Sequence, residues 1–265
     1  MLLIGRRVGG LVAIALGALM LWWGDVSEPF HTIPIDMPAR AVLAYIAALV
    51  LILAGAGLVV ERTAKASSVV LAALFAAISL IKVWKIVKLP ADFHSWTDFA
   101  EQSSIMAGYL AVFATMMRRN SIDTQRLAIA TRVWWGCCAL SFGAAHFVYL
   151  TRCASFVPSW IPGPIFWSVA TGFAHMAAGI GVLTGIWALP AARLATVMYA
   201  TFGLLVWGNL LALHPADHAS WSGLVVDFVL AAGALMVGDV LRVFPPPDGK
   251  LFALQDRLTS RSRFA

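Results

Sequence analysis

Eight long apolar segments constrain the fold of this chain more than any other feature of its sequence. They lie at about residues 8–24, 41–60, 67–87, 100–117, 133–150, 164–186, 194–213 and 223–242. A helix needs roughly 20 mainly apolar residues to cross a membrane, and the segments have about this length. The sequence therefore predicts an all-α membrane protein with eight transmembrane helices.

The composition indicates the same class of protein. Hydrophobic residues make up 61% of the chain and charged residues only 12%, whereas a soluble domain is about one quarter charged. The net charge of +6 does not indicate nucleic-acid binding, because the basic residues form short clusters between apolar segments, as in membrane proteins. We therefore expect membrane lipids as partners and no nucleic acid.

The distribution of basic residues predicts the orientation. With a cytoplasmic N-terminus, 14 of the 19 basic residues fall on the cytoplasmic side. The other five are Arg40, Lys82, Lys85, Lys88 and Arg152. The positive-inside rule then predicts a multi-pass protein of a bacterial inner (plasma) membrane with both termini in the cytoplasm. The three lysines are expected to extend to the outer membrane interface.

The N-terminal segment resembles a signal peptide, because Arg6 and Arg7 precede an apolar stretch. No small-x-small cleavage site follows it, so we expect it to be retained as the first helix.

Two motifs indicate an internal duplication. Ala54–Gly57 recurs as Ala178–Gly181, 124 residues later, and Pro90–Trp96 recurs as Pro215–Trp221, 125 residues later. The sequence thus predicts a first four-helix repeat at 1–124, a second at 125–244 and a cytoplasmic tail at 245–265. Because four helices return the chain to its starting side, the repeats are expected to be parallel, with a pseudo-twofold axis along the membrane normal. The small residues are expected to let helices pack closely.

The tail leaves two alternatives open. Leu251, Leu254 and Leu258 share one helical face beside Lys250 and Arg257, which suits a short helix on the inner membrane surface. A disordered tail is the other interpretation.

Histidines provide the candidate site. His146 and His175 fall inside predicted spans, where ionisable side chains are costly and suggest function. With His214 and Asp227 they are expected to converge in the outer half of the second repeat. Met20 takes the place of His146 in the first repeat, so one site is expected rather than two.

Imidazole can bond a quinone carbonyl, relay a proton with a carboxylate, or ligate haem iron or copper. We assign His146, His175 and Asp227 as candidate catalytic residues, and His214, Trp160 and Asn209 as candidate ligand-binding residues. The alternative is that these groups only form hydrogen bonds between helices. No spacing typical of a metal site is present, so none is predicted. The sequence does not identify a cofactor; a quinone is one candidate, and haem is a weaker one.

An aromatic, proline-rich outer loop at 156–164 adjoins these histidines. Tryptophan is favoured at the membrane interface, so the loop is expected to anchor the helices there. A gate over an amphipathic ligand is the alternative.

The second repeat resembles the DoxX-like superfamily of four-helix membrane proteins. The resemblance rests on Gly-Ala-Ala-His-Phe at 143–147, Pro-Ser-Trp-Ile-Pro at 158–162, the glycine-rich helix at 171–181 and Ala-Ala-Arg-Leu-Ala at 191–195. It extends more weakly to the first repeat. His175 stands where many relatives carry an acidic residue. An imidazole, like a carboxyl group, can take up and release a proton, but it prefers a different ligand.

This resemblance implies a redox setting, since some relatives belong to thiosulfate:quinone oxidoreductases or other redox systems. We therefore expect an inner-membrane protein that serves a quinone-linked or thiol-redox process, with possible protein partners in a redox complex. Whether the chain is itself an enzyme stays open. The alternatives are a membrane scaffold or assembly subunit, because some relatives resemble chaperones, and a small-molecule transporter. The broken helices that mark transporter sites are not evident in the sequence.

Overall fold

The computed structural model describes residues 3–31 and 33–246, which form helices joined by turns. The α-helices are α1 (Gly5–Trp23), α2 (Arg40–Val59), α3 (Glu61–Lys88), α4 (Phe93–Thr115), α5 (Ile122–Val148), α6 (Leu150–Ser155), α7 (Pro164–Thr184), α8 (Ala188–Phe202), α9 (Gly208–Leu213) and α10 (His218–Val243). A 3₁₀ turn covers Glu28–Phe30, and a π-helical segment, Gly203–Trp207, joins α8 to α9. The expected all-α membrane architecture is confirmed at this level.

Among the described residues, seven helices are long and apolar enough to cross a membrane. They are α1, α2, α3, α5, α7, α10 and the continuous helix Ala188–Leu213, which includes α8 and α9. The remaining long helix, α4, has 23 residues and carries the polar residues Asp98, Glu101 and Gln102. It is not one of these seven candidate spans. An integral, multi-pass membrane protein follows from these seven helices.

The helices alternate in direction between two ends of the bundle. We call the end at which α1 finishes the distal end, and the end at which it begins the proximal end. Trp23, at the distal end of α1, stacks on His218 at the start of α10, with ring centroids 4.8 Å apart. At the proximal end, the Gly5 N–H donates to Asp239 of α10. These contacts place α1 and α10 side by side and antiparallel.

The long helices of each half have matching packing partners. In the first half (α1–α4), α1 packs on α2, α2 on α3 and α3 on α4. In the second half (α5–α10), α5 packs on α7, α7 on α8 and α8 on α10. Across the halves, α4 packs on α5, α10 on α1, and α4 on α10. The helices α4 and α10 therefore form the centre of the bundle.

Glycines set the closest helix contacts in both halves. A Cβ on Gly55 of α2 would lie 2.7 Å from the carbonyl oxygen of Gly10 in α1. A Cβ on Gly179 of α7 would lie 2.8 Å from that of Gly136 in α5. These distances are too short for any other residue, which confirms the predicted role of the small-residue stretches in helix packing.

Both recurring Pro-Ala-Asp turns begin a helix in the same way. Asp92 caps α4 and Asp217 caps α10 by accepting backbone N–H groups of the first turn. Ser95 and Ser220 donate to these carboxylates, and the hydrogen bonds from Ser220 hold the pKa of Asp217 below its usual range. Because the caps lie this early, α4 and α10 begin several residues before the predicted starts at 100 and 223.

The predicted tail begins at Pro245, and the structure describes it only to Pro246. The amphipathic segment around Leu251, Leu254 and Leu258 lies outside the described residues.

Candidate functional site

Two histidines meet in the second half, on neighbouring helices. His146 lies in the last turn of α5 and His175 in the middle of α7. Their ring centroids are 4.9 Å apart and the planes are inclined by 37°. This close approach is possible because Gly143 and Gly172 let the two helices pack tightly: a Cβ on Gly172 would lie 2.9 Å from the Cβ of His146. The predicted pair is thus brought together.

Each imidazole is fixed by its own helix. Nδ1 of His146 donates to the carbonyl oxygen of Phe142, and Nδ1 of His175 donates to that of Thr171, both at 2.9 Å. A neutral imidazole with its proton on Nδ1 has only a lone pair on Nε2. In the described part of the chain, neither Nε2 has a hydrogen-bond partner. Each Nε2 is therefore available to accept a proton or a hydrogen bond.

A cavity of about 430 Å³ lies beside His146 at the distal end of the second half. Its volume falls in the range of small-molecule sites, roughly 300–1,000 Å³. The wall is mainly apolar and includes Phe156, Ile161, Trp167 and Phe202. The ionisable groups that line it are His146, Cys153 and Asp227. His175 is 2% exposed and lies behind His146, packed against Phe142, Tyr199 and Phe202.

Asp227 reaches the cavity from α10. It lies nine residues after His218, more than two turns inside the helix, because α10 begins before the predicted start at 223. The indole of Trp207, which ends the π-helical segment, lines the cavity beside it. Gly223 makes room for that indole, because a Cβ there would lie 2.3 Å from the Trp207 ring. Such π-helical segments occur often at functional sites, and the sequence did not reveal this one.

The three predicted ligand-binding residues differ in their position relative to the cavity. Trp160 Nε1 donates to Asn209 Oδ1 at 3.3 Å, so this pair joins the loop before α7 to α9. Trp160 itself is 64% exposed, while Pro158 and Ile161 of the same loop line the cavity. His214 is exposed at the end of α9 and is not part of the cavity wall. The structure therefore does not place His214 in the cavity with His146 and Asp227, because α9 ends at Leu213 and His214 follows it as an exposed residue.

In the first half, buried apolar side chains take the positions that correspond to His146 and His175. Met20, in the place of His146, is fully buried. Leu51 lies 124 residues before His175 and is also fully buried. Apolar side chains fill this region, which agrees with a single site in the second half.

Sequence reasoning missed a group of charged residues in the first half. Lys82 is 5% exposed, so the expectation that it extends to the outer interface is wrong. Its Nζ lies 4.0 Å from the carboxylate of Asp98 on α4. Lys85 and His94 also contact Asp98, at 3.2 and 3.6 Å. The spacing of the charged residues could have indicated this group, because Lys82 and Lys85 in α3, and Asp98 and Glu101 in α4, are each three residues apart.

A second ion pair, Glu28 with His31, lies at the distal end and responds to pH. The hydrogen bond to Glu28 raises the pKa of His31 above 6.5. Burial, the largest single effect, opposes ionisation of Glu28, but the hydrogen bond from His31 and the nearby positive charges together outweigh it and lower the pKa of Glu28 below 4.5. The pair is thus fully charged between pH 4.5 and 6.5. It loses its stabilising effect as pH rises through the raised pKa of His31, or falls through the lowered pKa of Glu28.

We therefore expect His31→Gln to lower the melting temperature most between pH 4.5 and 6.5. The difference from the wild type should shrink towards pH 9, because His31 is then neutral in both states. Thermal unfolding in detergent across this range measures the difference. A destabilisation that is constant with pH would show that the charge of His31 does not stabilise the fold.

Comparisons with known proteins add no identification. No family model, no curated protein and no solved structure matches this chain. Within the described residues, no group of three or more His, Cys, Asp or Glu is placed to hold a metal ion.

Proposed function

We propose that this membrane protein binds a quinol-type ligand, an apolar ring that carries hydroxyl groups, in the cavity beside His146, and that it serves a quinone-linked process. The observation that carries the proposal is the hydrogen bonding of the His146 ring. Its Nδ1 donates to Phe142, and its Nε2 offers a lone pair at an apolar cavity. A ligand hydroxyl is the group that such a nitrogen accepts.

The cavity wall suits the rest of such a ligand. The indoles of Trp167 and Trp207 and the ring of Phe156 offer flat apolar surfaces, against which an aromatic ring stacks favourably. Asp227 supplies a second hydrogen-bonding group on α10. The ring would thus lie between apolar walls, with its hydroxyl groups towards His146 and Asp227.

This arrangement predicts a preference for the reduced ligand. A quinol donates through its hydroxyls, whereas a quinone has only acceptor carbonyls and cannot bond Nε2. A hydrogen bond contributes about 0.5–1.5 kcal/mol, which corresponds to at most roughly tenfold in affinity.

Tryptophan fluorescence of the protein in lipid nanodiscs, titrated with a short-chain quinol and with the matching quinone, tests this preference. We expect saturable quenching with the quinol at up to about tenfold lower Kd than with the quinone. Equal affinities, or no saturable quenching with either form, would contradict the proposal.

We further propose that the chain is a tandem DoxX-like duplication with eight spans, in a bacterial-type inner membrane with both termini in the cytoplasm. The matching packing partners of the two halves support the duplication. So do the equivalent Gly10–Gly55 and Gly136–Gly179 contacts and the identical Asp caps. Helix α4 counts as the eighth span, because it runs from the distal end of α3 to the proximal start of α5. The basic residues favour the orientation.

A further inference from the structure

The ionisable groups of the two halves are connected at the centre of the bundle. Asp227 of α10 lines the cavity. Helix α10 packs on α4, so that the carboxyl group of Glu101 lies within electrostatic range of Asp227. The cavity in the second half therefore lies near an acidic side chain of the first half.

Polar groups with open hydrogen-bonding capacity surround this pair of carboxyl groups. Gln102 is fully buried and donates through Nε2 to Glu101 Oε1 at 2.6 Å. Among the described residues, the Oε1 of Gln102 has no hydrogen-bond partner, and the same holds for the hydroxyl of Tyr199. Tyr199 also lies within electrostatic range of both carboxyl groups. Buried polar atoms without a hydrogen-bond partner are costly and rare, so each one calls for an explanation.

From Glu101 the ionisable groups continue to the surface. Lys82 interacts with Glu101 and lies 4.0 Å from Asp98. Asp98 contacts His94 and Lys85, whose side chains are 49% and 37% exposed at the distal end. The series thus begins at the cavity and ends at groups in contact with solvent.

We propose that this series is a proton path between the cavity and the distal surface, formed by Asp227, Glu101, Asp98 and His94. The positive charge of Lys82 compensates the negative charge of the carboxylates along it. Ionisable side chains inside membrane proteins commonly form such relays. The walls of the cavity are mainly apolar, so with a ligand in place they offer few groups that accept a proton. A proton that leaves the ligand at His146 or Asp227 therefore exits through the first half. This role rests on the proposed ligand site.

Further groups surround the path and enter any pH dependence. They are Glu28 of the 3₁₀ turn, Lys82 and Lys85 of α3, His94 of α4, Cys138 of α5, and Tyr199 of α8. The path therefore titrates as a coupled set, and a rate of proton transfer is a clearer measure than an apparent pKa.

A stopped-flow pH jump on the full chain in lipid nanodiscs tests the path. Trp207 adjoins Asp227, so the part of the fluorescence change that is lost in Trp207→Phe reports the protonation of Asp227. We expect Glu101→Gln and Asp98→Asn to slow this change by roughly tenfold or more. Asp36→Asn is the matched control, because it removes an exposed carboxylate from the same end of the bundle, and its rate should equal that of the wild type.

Two results would overturn the proposal. An unchanged rate in both path variants would mean that protons reach Asp227 through the mouth of the cavity. A wild type without a Trp207-dependent change would mean that Asp227 exchanges no proton with water. Both measurements are made without ligand, and quinol affinity is measured separately on the same samples. Failure of ligand binding is therefore distinguished from failure of the path.

Discussion

Leucine at both His146 and His175 is expected to weaken quinol binding to the protein in nanodiscs strongly. Leucine cannot accept a hydrogen bond, so the ligand hydroxyl would be buried without a partner, at a cost of roughly 1–3 kcal/mol. This cost corresponds to about 5- to 150-fold in Kd. The fluorescence titration described above measures the loss.

The single variants separate the roles of the two rings. His146 lines the cavity, so His146→Leu should produce most of the loss. His175 contacts His146 at 4.9 Å and acts through the position of that ring. The effects of His175→Leu and His146→Leu should therefore be less than additive in the double variant. His214→Leu is the matched control, because it removes an exposed histidine outside the cavity. A double variant that binds quinol as tightly as the wild type would disprove the assignment.

Gly179→Leu is expected to give the largest loss of stability. Its Cβ would lie 2.8 Å from the carbonyl oxygen of Gly136 and 2.9 Å from the side chain of Leu140. The backbone of α5 cannot yield locally, so α5 and α7 must move apart. Overpacking of this kind costs about 1–3 kcal/mol or more, and it also widens the contact that brings His146 to His175.

The comparison variant is Gly238→Ala in α10. A Cβ there meets Ala192 and Leu189 at 3.8 Å, which is an ordinary contact, so the melting temperature should not fall. Gly55→Leu provides the equivalent test in the first half, where the Cβ would lie 2.7 Å from the Gly10 carbonyl oxygen. We expect it to destabilise the bundle as Gly179→Leu does. A Gly179→Leu protein that melts as the wild type does would show that the helices separate without cost.

The candidate site was only partly predictable. His146, His175 and Asp227 stood out because ionisable side chains are rare inside apolar segments. His214 was included because it lies at the outer end of the seventh predicted span, but its position depends on where α9 ends, and an apolar pattern places such ends only within a few residues. The charged group at Lys82 and Asp98 was hidden, because a lysine near a helix end can face the interface or a neighbouring helix, and the sequence does not say which.

The sequence by itself determined the class of protein and the approximate positions of its long helices, because the exclusion of backbone groups from lipid leaves an apolar segment few structures other than a helix. It also showed the recurring Pro-Ala-Asp turns and small-residue stretches, since their chemistry is local. Only the tertiary structure decided which helices touch. The contact of α4 with α10, which brings Glu101 beside Asp227, depends on side-chain shape across the whole bundle, and no local pattern encodes it.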